Sequence, residues 1–470
     1  MVRKTMNSGT SINIMRTIKD RSLGKAIKLN VPKVSSSNVP KLSVIISALL
    51  ISQVGLLAGC DATVDTNANT QIESHAESAR TPENIEYLVP YQEPSTADSK
   101  VSDTLAASDI QKVAEHVANW QLAQFDIRSN KMRPEMRTSG IPNGWMYATL
   151  HIGLLRWANQ IDSEQYKQAV LNLSQLNEYQ LGPRVYHADD HAVGDVYLSL
   201  YNMYGGANKL QHTKEFLSEV IENPDTRDLE FEVKERDVHT FELRTFSDPY
   251  CTRRWCWADA VFMSPPVFAH LAKITDNKRY LDFMNDEFWI MTDYLFDEDY
   301  GLYLRDSRYF SRKDDQGRPI FWGRGNGWVL AGLARLIEYL PADYEHLERY
   351  KTLFKDMSVT LLNYQNDDGS WPSSLLEAGS DAHSETSATG LLAFALAWGI
   401  NNDLLDKKQF DQPLEKAWTS IVENIHPDGK VGYVQQVAFA PGSATSEDAQ
   451  LYGSGAVLLA AAELHKMVEK

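Results

Sequence analysis

The 470-residue chain is 43% hydrophobic and 10% aromatic, enough to bury one large core or two ordinary ones. Its formal net charge of −17 becomes −25 once the basic first 59 residues are set aside. That balance argues against a nucleic-acid partner, which needs a basic face, and confines any anionic ligand to a local basic pocket.

Residues 1–59 carry nine Lys/Arg and one acid, Asp20, and end in an uncharged apolar run over 42–59. A basic segment followed by an apolar one has the form of an export signal. The run closes as LLAGC, which resembles the lipobox of bacterial lipoproteins. That resemblance implies cleavage before Cys60, acylation of its thiol, and a lipid anchor holding the chain at a bacterial membrane with its domain in the periplasm. An ordinary signal peptide or a membrane anchor is the alternative. Residues 60–102, rich in Ser, Thr, Asn, Asp, Glu and Pro, read as a flexible tether without chemistry of its own.

Residues 103–470 read as helix after helix, with no long stretch of strand-like alternation. Helices are expected to begin near Ser108, Gly144, Ser163, Asp190, Asn208, Asp259, Asn277, Asn326, Asp343, Thr386, Phe410 and Leu451. They alternate in character. Those near 108, 163, 208, 277, 343 and 410 are amphipathic and charged, whereas those near 144, 190, 259, 326, 386 and 451 are apolar almost all round. Amphipathic helices belong on a surface and all-round apolar ones inside. Six outer helices alternating with six inner ones describe an all-α chain folded as an (α/α)6 barrel, expected as a monomer or weak oligomer.

Consecutive helices in such a barrel run antiparallel, so the loops entering the inner helices meet at one mouth. Those loops hold GIPNGWMY (140–147), VYHADDH (185–191), CTRRWCWAD (251–259), IFWGRGNGW (320–328), SDAHSETSATG (380–390) and SEDAQLYGSG (446–455). Taken singly, each loop can be helix capping, and GRGNGW a tight Gly-rich turn. Helical packing does not call for six loops of Trp, Tyr, His, Arg and Asp at one end; a ligand site does. Aromatic rings stack on the apolar C–H faces of sugars, and arginine with helix N-termini suits an anionic group, so the ligand implied is an acidic carbohydrate.

Within that mouth Asp259 is the leading candidate for acid–base chemistry. It stands between Arg253, Arg254, Trp255 and Trp257 and the apolar start of a helix. Apolar walls raise a carboxylate pKa, and arginines lower it, so the residue can be tuned for proton transfer near neutral pH. Asp is also a favoured N-cap, the competing reading. Once Cys60 is acylated, Cys251 and Cys256 remain, and an exported chain can join them in a small disulfide loop. Two cysteines with no second pair do not make a zinc site, and no metal or other cofactor is expected.

The segments WADAVFMSPP and WGRGNGWVLAGLARLIEYLP, together with HADDHAVGDVYLSLY, GLYLRDSRYF, ETSATGLLAFALAWGIN and YGSGAVLLAAAEL, resemble glycoside hydrolase family 105, the unsaturated rhamnogalacturonyl hydrolases and their relatives. The likeness runs from about residue 144 to the C-terminus and implies an (α/α)6 barrel. It also implies an enzyme that removes a 4,5-unsaturated uronic acid from the non-reducing end of lyase-generated oligosaccharides. In that chemistry one aspartic acid protonates C4 and takes a proton from the water that adds at C5, so acid and base can be one residue, unlike the usual two-carboxylate scheme.

By motif position the resemblance implies that Asp259 is the catalytic aspartate and Trp257 the aromatic beside it. Arg324 and Trp328 match the uronate-binding arginine and tryptophan, and Tyr147 a tyrosine at the sugar site. For the second acidic position HADDH offers Asp189 and Asp190, with His191 in some alignments. Asp190 is the choice for the residue that orients the sugar or tunes Asp259. Arg305 stands where rhamnogalacturonyl enzymes have a histidine. With Arg308, Arg253 and Arg254 it can hold a further anion, such as a sulfate on an adjoining rhamnose, or it can balance acids such as Asp306 and Asp248. The sulfate reading favours oligosaccharides of ulvan over rhamnogalacturonan. A lipid-anchored carbohydrate-binding protein without catalysis is the alternative of a different class.

Overall fold

The computed structural model describes residues 101–126, 131–132, 141–231, 250–379 and 385–470. The export signal, Cys60, the tether up to residue 100 and Asp248 lie outside the described residues. In chain order the helices are α1 (Ala107–Ala123), α2 (Trp145–Gln160), α3 (Glu164–Leu176), α4 (Ala188–Tyr204), α5 (Ala207–Glu222), α6 (Ala260–Met263) and α7 (Pro265–Thr275). They continue as α8 (Lys278–Leu295), α9 (Gly323–Tyr339), α10 (Leu347–Leu362), α11 (Thr386–Asn401), α12 (Lys407–Glu423) and α13 (Leu451–Glu469). The strands among the described residues are two short antiparallel hairpins, Phe125–Asp126 with Lys131–Met132 and Phe296–Asp297 with Leu302–Tyr303.

Helices α2, α4, α6 with α7, α9, α11 and α13 form a closed inner ring. Each packs on the next, and α13 returns to α2. The outer helices α1, α3, α5, α8, α10 and α12 each lie against one inner helix. The division follows the residues. Outer helices bury one stripe, as α3 does with Tyr166, Ala169, Val170 and Leu173, whereas α11 and α13 are buried along almost their whole length. The ring closes where α2 and α13 touch backbone to backbone: a Cβ on Gly153 would lie 2.4 Å from the Gly455 carbonyl oxygen. This is the (α/α)6 barrel expected from the alternation of helix types.

Three helix starts differ from expectation: α12 begins at Lys407 rather than near Phe410, where Asp406 caps it by accepting from the Lys408 N–H, and the other two differ for local reasons. The helix placed near Asp343 begins at Leu347, after turns that follow Pro341. The segment GRGNGW is not a turn; it forms the first two turns of α9, which begins at Gly323 rather than near Asn326. Buried, these glycines let the inner helix pack closely where larger residues would not fit, and Asn326 ties the helix to the preceding hairpin. Its side chain accepts from the Tyr303 N–H at 2.8 Å and donates to the Tyr303 carbonyl at 3.0 Å.

The inner helix after Asp259 is broken. The single turn α6 ends at Ser264, and Pro265 and Pro266 open α7. Proline has no N–H, so the carbonyls of Val261 and Phe262 lose the donors that a continuous helix would supply. Arg335 of α9 fills one vacancy, donating from Nη1 to the Phe262 carbonyl at 2.7 Å and from Nη2 to Asp195 at 2.7 Å. Asp195 also meets His270 Nδ1 at 2.7 Å. Gly332 makes the approach possible, since a Cβ there would sit 2.6 Å from the Val261 carbonyl group. His191 braces the other side. Its Nε2 donates to the Val185 carbonyl and its Nδ1 accepts from the Ser264 hydroxyl, each at 2.7 Å. Burial holds His191 down to about 4, so the ring is neutral and serves as this fixed bridge.

Candidate active site

The N-termini of all six inner helices converge, linked side chain to side chain. Trp145 of α2 stacks on Tyr452 of α13 at 5.0 Å and meets Trp328 of α9 edge-on at 6.0 Å. Trp328 lies 4.7 Å from Phe262 of α6. Arg324 of α9 packs over Tyr452 and reaches within 3.6 Å of Glu385, the N-cap of α11. His187, the N-cap of α4, lies 4.9 Å from Trp257 beside Asp259.

Asp259 precedes α6 but does not cap it; its side chain makes no capping hydrogen bond. Instead Arg305 donates from Nε to Asp259 Oδ2 at 3.1 Å, and the Ala258 N–H donates to the Arg305 carbonyl at 2.8 Å. One bond holds the carboxylate and the other the backbone just before it against the segment that follows the second hairpin. Burial pushes the Asp259 pKa up while the guanidinium groups of Arg305 and Arg324 pull it down, and the net direction is upward. A disulfide between Cys251 and Cys256 clips the loop immediately before Trp257 and Asp259.

The structure distinguishes the two acids of HADDH. Asp190 turns toward the preceding loop, where Arg184 donates to it from its backbone N–H at 2.8 Å and from Nη2 at 2.6 Å. Asp189 is the one that faces the site. Its carboxylate lies near His187 and feels the charges of Arg184, Asp190, Asp259 and Arg305. Burial is the largest cause and, with the negative charges of Asp190 and Asp259, pushes it up to about 7. His187 is held well below the ordinary histidine range by burial, then by Arg184, His191 and Arg305. Neutral imidazole, protonated or ionised Asp189 and Asp259 thus share one pocket, two of them acids displaced toward neutral pH.

The remaining candidates divide in the same way. Arg324 is buried and fixed: Nη1 and Nη2 donate to the Gln435 and Gln436 carbonyls at 2.7 and 3.0 Å, and the guanidinium lies 4.5 Å over Trp322. Among the described residues its Nε has no hydrogen-bond partner. Trp257 and Trp328 are buried in the wall. Tyr147 is also buried, with its ring edge-on to Phe125 at 5.9 Å. The four arginines considered for an extra anion each have a carboxylate. Arg305 and Arg308 both donate to Asp306 at 2.7 Å, Arg254 pairs with Glu287 at 2.7 Å, and Arg253 with Asp225 at 3.0 Å.

Sequence reasoning missed Trp145, His187, Glu385, Gln435 and Tyr452, which all sit at or beside inner-helix N-termini. Their placement in the mouth loops was the available signal, since each of these segments except that of Gln435 was already singled out.

Residues 113–468 match the family described as Glycosyl Hydrolase Family 88. The chain belongs to that family. This family 88 member is a glycoside hydrolase, in keeping with the unsaturated-uronyl hydrolase resemblance carried by its motifs. It is 39% identical over 358 residues, 76% of the chain and 86% of the relative, to an unsaturated 3S-rhamnoglycuronyl hydrolase of Alteromonas sp. (strain LOR). It is 34% identical over 339 residues, 70% of the chain and 86% of the relative, to a protein of the same name from Formosa agariphila. Among solved structures, a glycosyl hydrolase family 88 protein from Bacteroides vulgatus superposes with a TM-score of 0.65 at 24% identity, covering 77% of this chain and 99% of that one. That likeness concerns the fold.

Proposed function

We propose that this family 88 enzyme hydrates the 4,5 double bond of an unsaturated uronic acid at the non-reducing end of lyase-generated oligosaccharides, with Asp259 as acid and then base. The observation that carries the reading is a buried carboxyl raised toward neutral pH yet held by an arginine. A group so balanced can give a proton and take one back. In its neutral form Asp259 delivers a proton to C4, and positive charge develops at C5, shared with the ring oxygen. The resulting carboxylate takes a proton from the water that adds at C5, which restores the acid. The hemiketal opens, and the neighbouring sugar leaves as an alcohol. One water is consumed, and no bond to the enzyme forms.

Arg324, with its charge near Asp259 and Nε unspent, suits the uronate carboxylate. The site geometry favours Asp189 over Asp190 as the second acid, since Asp190 is committed to Arg184. The names of the two relatives, 3S-rhamnoglycuronyl hydrolases, support the sulfated-rhamnose oligosaccharides of ulvan as the substrate. Loss of the conjugated uronate absorbance band would be followed with the purified protein and separate lyase digests of ulvan and rhamnogalacturonan. Faster loss with ulvan products is the expected result; faster loss with rhamnogalacturonan products would overturn the substrate assignment, and no loss with either would overturn hydration of both.

The leader and the LLAGC run support export and acylation at Cys60, with the catalytic domain tethered at a bacterial membrane. Radiolabelled palmitate should enter the native chain in a bacterial host and be absent from Cys60→Ser; no label in the native chain, or equal label in both variants, would rule out acylation at Cys60.

A further inference from the structure

Phe439 is the most exposed of the large hydrophobic residues described, with 54% of its surface open, yet it sits on a loop fastened from several sides. The Gln435 N–H donates to Glu385 at 3.0 Å, and its carbonyl accepts from Arg324 at 2.7 Å and from the Tyr452 hydroxyl. The Gln435 side chain accepts from Trp322 Nε1 at 3.0 Å and donates to the Ala440 carbonyl at 2.8 Å. The Tyr309 hydroxyl donates to the Phe439 carbonyl at 2.6 Å, and the Gly442 N–H to Ser373 at 2.9 Å. Single exposed apolar residues are common on protein surfaces and carry little meaning alone. An exposed ring held in place by the same residues that shape a catalytic mouth is a different case.

The ring's neighbours give its direction. Arg305, whose Nε holds Asp259, has its guanidinium carbon 5.2 Å from the Phe439 ring and 5.4 Å from the Phe231 ring. Arg308 lies 3.9 Å over Phe231 and 5.5 Å from Phe439. A continuous path of contacts therefore runs from the buried acid through Arg305 to an open aromatic face. An enzyme that takes a terminal uronate at Asp259 has to leave the next sugar on the outward side of that residue. Arg305 and Arg308 already spend guanidinium nitrogens on Asp259 and Asp306, so the Phe439 ring is the part of this rim left open to the next sugar.

We infer that Phe439 is the platform for the sugar that follows the uronate, and that it selects leaving groups with an apolar face, such as a 6-deoxyhexose. The inference rests on the hydration reading above. A preorganised ring adds affinity without ordering a loop on binding. The effect belongs in KM, because a contact made equally in ground and transition states leaves kcat unchanged.

The test compares two compounds with the full chain: the lyase-made disaccharide of unsaturated uronate and sulfated rhamnose, and the methyl glycoside of the same uronate, which lacks a second ring. Phe439→Ala should lower the ratio of kcat/KM for disaccharide over methyl glycoside by roughly tenfold, the factor that about 1.4 kcal/mol produces. The change should appear in KM for the disaccharide, and Phe439→Trp should restore the ratio. An unchanged ratio in Phe439→Ala, with the native protein active, overturns the platform alone. A native protein that bleaches neither compound overturns hydration and the platform together.

Discussion

Asp189 and Asp259 lie in one pocket and cannot both ionise cheaply. Burial is the main cause raising both pKa values, and at Asp189 the negative charges of Asp190 and Asp259 add to it. The consequence for stability follows from Asp189, pushed up to about 7 in the folded chain against an ordinary value near 3.8. Between those values the folded state keeps a proton that the unfolded chain has shed. Stability therefore falls as the pH rises from about 4 to about 7. Asp189→Asn removes this penalty. Thermal unfolding should show a Tm gain over the native chain at pH 8 and little gain at pH 4, together with reduced turnover, a site that trades stability for function. A Tm gain of equal size at both pH values would contradict the assignment of Asp189 as the displaced acid.

The choice between the two acids of HADDH shows where the sequence stops being readable at this scale. Adjacent residues on a helix point about 100° apart, so one residue of uncertainty in where α4 starts exchanges one carboxylate for the other. His187 at the N-cap sets the phase, and Arg184 on the loop before it claims Asp190. Asp259 was easier, because its Trp and Arg neighbours lie in its own segment. Its partner Arg305 is 46 residues away, and the departure at GLYLR singled it out without giving its contact. The partners of Arg253 and Arg254 could not be settled from the residues alone, since Asp225 and Glu287 come to them through folding, whereas Asp306, two residues from Arg308, was already named as a balancing acid.

Among the elements, the broken helix after Asp259 does the positioning. Pro265 and Pro266 end the single turn, and Arg335 supplies a donor to the Phe262 carbonyl that no backbone N–H can reach. The prolines were visible in WADAVFMSPP, but the arginine that answers them lies on α9. It reads in sequence as one polar residue in an apolar helix. Among the described residues, replacing it leaves His270 as the remaining partner of the buried Asp195. Arg335→Met should therefore destabilise the fold by roughly 3–5 kcal/mol, the range for removing one partner of a buried ion pair. Urea unfolding measures this directly, and a midpoint equal to that of the native chain would show that the break does not depend on Arg335.

For the whole molecule, the alternation of amphipathic and all-round apolar helices was enough to give the barrel, because that pattern has a direct physical reading as outside and inside. The same alternation placed the unusual loops at one end, and the contacts from Trp145 through Tyr452, Arg324, Trp328 and Phe262 show that they meet. The loop carrying Gln435 and Phe439 was not legible as part of the mouth. Its residues are ordinary, and its importance comes from hydrogen bonds to Glu385, Arg324 and Trp322 on other elements.

The most direct measurement of Asp259 as the proton donor is the rate of loss of the unsaturated uronate band with Asp259→Asn beside the native protein, on the digest that the native protein consumes. Asn keeps the shape of the side chain and removes its proton chemistry. A fall in kcat of about a hundredfold to ten-thousandfold, the range for general acid–base catalysis, with a Tm no lower than that of the native chain, is the predicted result. Band loss by Asp259→Asn at a rate within a few fold of the native protein would contradict it, and the proton would have to come from another group in the mouth.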